Sequence, residues 1–103
     1  MKPVSINFTD EEGKLVKTYT TCSLKTGMMD LIFDIAERAD DLEKGKMGVS
    51  DVKTFYHDLK ALILAIFHYR FSLEELNEGV EQEELMRVFQ DICSKISGEL
   101  KKN

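Results

Sequence analysis

Four groups of residues in this chain have types and spacings that invite a chemical reading. Asp40 and Asp51 bound a twelve-residue span with Gly45 at its sixth position, the outline of an EF-hand calcium loop. Such a loop needs oxygen donors at its third and fifth positions. Leu42 and Lys44 stand there, so the span reads as a connection between helices. His57 and His68 fall about three turns apart on one helix face, roughly 16 Å along the axis, too far to share an ion. To act as nucleophiles, Cys22 and Cys93 would need a neighbouring base and an electropositive setting, and the flanking residues supply neither. Glu74 with Glu75 and Glu83 with Glu84 are adjacent, so on a helix each pair diverges and makes no acid–base couple. They suit the first turns of helices, where negative charge meets the positive end of the dipole. No phosphate loop, nucleophile elbow or Cys/His ligand set occurs. The expectation is a non-catalytic protein with no metal and no cofactor.

Composition narrows the partners. Nineteen acidic against fourteen basic side chains leave a charge of −5, the wrong sign for a protein that neutralises phosphates, so nucleic acid is not expected. The longest apolar run is far short of the roughly 20 residues a bilayer needs, which excludes a spanning helix. The first residues lack the apolar core of a secretory signal, so the expected compartment is the cytoplasm. Two cysteines without a repeated spacing suit free thiols there. At 103 residues the chain reads as a single domain over 1–103, with 1–22 as a β-hairpin and 23–103 as a helical body.

The elements that must carry any site follow from periodicity. Val4, Ile6 and Phe8 alternate with Ser5 and Asn7, and a second alternating stretch follows the turn formers Asp10 to Gly13. This predicts a hairpin over about 3–8 and 14–20, with Gly13 supplying a positive φ. Two strands are marginal alone, so the ribbon must lie on the helices. A first helix over about 24–44, capped by Ser23 or Thr26, places Leu24, Met28, Leu31, Ile32 and Ile35 on one face. A second, over about 51–69 and capped by Ser50, is apolar almost all round near its end. Ser72 and Glu75 form a capping box for a short helix over 73–79, stopped by Gly79. A fourth helix over 82–100 buries Leu85, Val88, Phe89, Ile92, Ile96 and Leu100. The fold class is mainly α, a four-helix body with an N-terminal β-hairpin.

A helix that is apolar nearly all round must be wrapped by several elements or shared with another chain. The second helix is expected to leave a groove beside Phe67, Tyr69 and Phe71, and methionines suit such adaptable surfaces. The candidate partner-binding residues are Phe55, Leu59, Phe67, Tyr69, Phe71, Leu73, Leu76, Met86 and Phe89. A bare hairpin edge offers a way to link copies into a homo-oligomer.

The segment Ile66-Phe67-His68-Tyr69-Arg70-Phe71-Ser72-Leu73-Glu74-Glu75-Leu76-Asn77-Glu78-Gly79-Val80, followed by Glu83-Glu84-Leu85-Met86, resembles the tail assembly chaperones of long-tailed phages and prophages of Gram-positive bacteria. Those proteins pair a β-ribbon with a helical body, and their third helix reads phenylalanine, small hydroxyl, leucine, acidic, acidic, leucine, then acidic-glycine. Glu78-Gly79 stands where Asp-Gly is common in that family. The resemblance implies a non-catalytic protein that binds the tape measure protein, keeps it soluble and helps tail tube protein assemble around it. It also implies a host-cytoplasmic protein that is lost from the finished virion. A small cytoplasmic helical adaptor or regulatory protein that binds one folded partner is the alternative compatible with the same residues.

Overall fold

The computed structural model describes residues 1–101, with side chains through Ser97. Its elements run β1 (Val4–Thr9), β2 (Leu15–Thr21), a 3-10 turn (Thr26–Met28), α1 (Met29–Glu43), α2 (Val49–Ile66), α3 (Leu73–Gly79) and α4 (Gln82–Lys101). This is the expected order of a hairpin followed by four helices. Leu100, expected on the buried stripe of α4, lies outside the described side chains.

The hairpin forms as its alternation requires, with Val4, Ile6 and Phe8 turned into the core. Its loop is held by the Asp10 carboxylate, which accepts from the N–H groups of Glu12 and Lys14 at 2.9 Å each. Gly13 closes the turn at φ +83°, where a side chain would be strained. The strands pair antiparallel from Val4 opposite Thr21 to Phe8 opposite Lys17, and then Thr9 lies opposite Leu15. The extra residue, Val16, makes a bulge that sharpens the local twist.

The far edge of β1 does not face water. Asn7 N–H donates to Glu84 Oε2 at 2.8 Å, Arg87 Nη2 donates to the Ser5 carbonyl at 2.9 Å, and Lys95 Nζ donates to the Pro3 carbonyl. Polar side chains of α4 thus take the place of a third strand. Strand groups pointing outward alternate, so on β2 those of Thr18 and Thr20 face away from β1. The Thr20 carbonyl accepts from Arg70 Nη1 at 2.8 Å.

Helix ends depart from expectation at three places. Neither Ser23 nor Thr26 caps α1; the chain enters it through the 3-10 turn, with no side-chain cap. Ser50 does not cap α2. Gly48, in extended backbone, starts that helix two residues earlier, and the Asp51 carboxylate accepts from the Gly48 N–H at 3.3 Å. At its other end α2 stops at Ile66 instead of residue 69. His68 N–H bonds the Ala65 carbonyl at 3.0 Å and Tyr69 N–H bonds the Leu64 carbonyl at 2.9 Å, a Schellman closure. His68 therefore lies past the helix, not on a face shared with His57. The capping box of α3 forms as its spacing predicts: Glu75 N–H donates to Ser72 Oγ at 3.1 Å and Ser72 N–H to Glu75 Oε1 at 3.0 Å.

Hairpin and helices meet through rings. Phe8 stands edge-on to Phe71 at 4.9 Å and to Tyr19 at 5.3 Å, and Phe67 adjoins Phe71 at 5.7 Å. Such edge-to-face contacts add to the stabilisation from burial itself. Gly79, the last residue of α3, makes room for them, because a Cβ there would lie 2.5 Å from Phe8 Cδ2. The glycine ends the helix where expected, but what it supplies is space for a ring and not a left-handed backbone.

Gly79→Ala should therefore destabilise by about 1–3 kcal/mol, against the roughly 1 kcal/mol that alanine normally adds in a helix. Urea unfolding of Gly79→Ala, Phe8→Leu and the double variant checks this, since relief of the clash makes the two changes non-additive. A second expectation concerns Glu84. Burial alone would raise its carboxyl, but hydrogen bonds from Arg87 and the Asn7 N–H, with the Arg87 charge, outweigh that and hold it below its ordinary value near 4.5. The clamp is therefore fully present above that value and is lost as pH falls through the depressed folded one. Glu84→Gln should cost about 1–2 kcal/mol at neutral pH. That penalty should shrink in acid; a penalty unchanged from neutral pH to about pH 3 would show that charge is not its source.

Candidate partner-binding groove

The structure separates the residues expected to meet a partner. Phe55, Leu59, Phe67, Phe71, Leu76 and Phe89 are buried, Met86 is half-buried, and only Tyr69 (72% exposed) and Leu73 (42% exposed) reach well into solvent. The groove expected beside Phe67, Tyr69 and Phe71 is corrected on this point, because Phe67 and Phe71 belong to the ring cluster that the hairpin covers. At the apolar end of α2, Ile63, Ile66 and Phe67 are covered within the chain, while Ala61 and Ala65 stay on its open side.

Part of the apolar surplus lies on α1, beside exposed Leu15 and Val16 on β2 and Val49 at the start of α2. The body measures 40 × 34 × 20 Å, only two layers of secondary structure in its thin direction, and a two-layer body leaves helix flanks unbacked. Leu31 is 52% and Phe33 47% exposed. A hollow lies on each flank of α1.

On one flank, α1 and α4 enclose an open groove of about 450 Å³. Ala36, Ala39 and Leu42 form one apolar wall, and Met86, Phe89 and Cys93 form the other. Steps of three and four residues along both helices bring these side chains into line. Asp40 and Glu43 stand on the α1 rim, and Lys44 Nζ pairs with Asp40 at 2.8 Å. Burial pushes the Cys93 thiol up, so it stays protonated and serves as a small apolar contact. Of the residues singled out from sequence, Met86 and Phe89 line this groove. Ala36 and Ala39 were missed as site residues, because a small residue on an amphipathic helix reads as ordinary packing; the exposed Phe33 one turn away was the available signal.

On the other flank, α1 and α2 enclose a smaller hollow of about 370 Å³, with Leu31, Ala61, Ala65 and Tyr69 along it. Arg38 closes one end, donating from Nη2 to Asp58 Oδ2 at 2.8 Å. Tyr69 is placed there by an unusual backbone. His68 and Tyr69 both adopt left-handed conformations, at φ 58° and 56°, positions that glycine ordinarily fills at a helix end. Two such residues in succession store strain, and the turn that stores it projects the Tyr69 ring outward.

His68→Gly should relieve that strain and stabilise the fold by about 0.5–1 kcal/mol, net of the extra freedom glycine has when unfolded. Thermal and urea unfolding measure it, and a destabilised variant would show that the His68 side chain holds the turn by contacts of its own.

Apolar hollows thus lie on both flanks of α1. Among the described residues no helix is long and apolar enough to cross a membrane. Compared with known families, residues 1–103 match the one described as phage tail chaperone protein. No curated protein and no solved structure matches the chain. The match runs over the whole sequence, hairpin and helices together, and the chain belongs to the phage tail chaperone protein family.

Proposed function

We propose that this protein is a non-catalytic tail assembly chaperone that acts in the host cytoplasm. It binds the tape measure protein, keeps that long apolar chain in solution and releases it as tail tube protein assembles, so that the chaperone is absent from the finished virion. The observation that supports this reading most directly is the family match over the whole chain, and the α1–α4 groove, the larger of the two hollows that flank α1, offers a place for a client. A client rich in exposed helical stripes gains burial by lying in such a groove. The charge of −5 keeps a loaded complex soluble.

Co-expression with a tape measure protein from the same genome tests the proposal. The tape measure protein should move from the insoluble to the soluble fraction and co-elute with the chaperone on gel filtration. An unchanged soluble fraction together with separate elution would overturn the reading.

A further inference from the structure

We infer that the α1–α4 groove takes an amphipathic client helix whose narrow apolar stripe is flanked by lysine or arginine. The identification of that helix as a tape measure segment rests on the chaperone reading; the chemistry of the groove does not.

Shape argues for a helix. Both walls are helices, and small residues lie along them: Ala36 and Ala39 on α1, Cys93, Ser94 and Ser97 on α4. Small side chains let a third helix approach to the 8–10 Å typical of packed pairs. Met86, flexible and unbranched, adapts to whatever stripe is presented. Phe33, one turn before Ala36 on the same line of α1 and half exposed, prolongs the apolar edge.

Charge argues for basic flanks. Three cations near the groove are already engaged: Lys44 with Asp40, Arg87 with Glu84 and the Ser5 carbonyl, Lys95 with Asp91 and the Pro3 carbonyl. These pairs leave carboxylates over. Glu43 on the rim has no ion pair among the described residues, nor do Glu81 and Glu83. These two lie along a second hollow that shares Met86 and Gln90 with the first. An incoming helix therefore meets an apolar floor with an acidic margin along α1, at Asp40 and Glu43, an uncharged margin along α4, at Gln90, Ser94 and Ser97, and a further acidic pair beyond Met86, at Glu81 and Glu83; cationic residues on the flank that faces α1 and at the Met86 end are what complement it. A second copy of this chain, itself acidic, would set carboxylate against carboxylate.

Three labelled peptides of about 18 residues, long enough to span the groove as a helix, test this. One carries a leucine–alanine stripe with lysine flanks, one the same stripe with glutamate flanks, and one lysine flanks with serine in place of the stripe. Fluorescence anisotropy should show the first binding at least about tenfold tighter than either control. It should also slow maleimide labelling of Cys93 by about tenfold, with the exposed Cys22 unaffected as internal control. Ala39→Trp, which fills the groove, and Glu43→Lys, a surface change that leaves the core intact, should each weaken the first peptide by about tenfold. Equal binding of the lysine- and glutamate-flanked peptides, or binding without protection of Cys93, would overturn the inference. If both variants keep the tape measure protein soluble as the wild type does, the groove is wrong and the chaperone reading stands. If the wild type fails to keep it soluble, that reading falls while the peptides still judge the groove.

Discussion

The fold depends on one ring finding one gap. Phe8, from the first strand, inserts where Gly79 leaves α3 without a side chain, and there it meets Phe71 and Tyr19 edge-on. That contact joins a ribbon that could not persist alone to a helical body whose most apolar end would otherwise face water. It explains why Phe67 and Phe71 are interior. It also gives the glycine of the Glu78-Gly79 pair a physical reason, which is steric clearance for an aromatic ring and not a backbone that only glycine can adopt.

Once that contact forms, α4 completes the sheet in an unusual way. A helix cannot offer a strand's ladder of main-chain groups, yet Glu84, Arg87 and Lys95 reach the outward N–H and C=O groups of β1 one after another. The buried face and the blocked edge of β1 are thus served by the same helix. The opposite side of α4 remains free, and there the groove against α1 opens. The face of α4 that fastens β1 and the face that lines the groove meet at Phe89, which is part of both the core and the groove wall.

Much of this was legible in the residues. The strict alternation of Val4, Ile6 and Phe8, the Ser72–Glu75 box and the stripe from Leu85 to Ile96 are local signals, and the elements they mark lie close to where periodicity puts them. Helix ends were less legible, because they were decided by backbone choices without a side-chain signature: an extended Gly48, a 3-10 entry to α1, and a left-handed His68 where glycine is the usual occupant. The location of the apolar surplus was least legible. Counting apolar residues on α2 cannot reveal that a hairpin some fifty residues earlier will cover them, so the rings at its end looked available when they were spoken for. Conversely Ala36, Ala39 and Cys93 carry no distinctive pattern; only the spacing between α1 and α4 makes them a groove.

The hydrogen bonds that fasten β1 span most of the chain, 77 residues from Asn7 to Glu84 and 92 from Pro3 to Lys95. During synthesis the ribbon leaves the ribosome well before its docking helix. Until α4 emerges, Val4, Ile6 and Phe8 lack that helix to pack on, and closure of such distant contacts is slow relative to helix formation. A member of a tail chaperone family thus carries, early in its own folding, an apolar segment that waits for α4 to cover it.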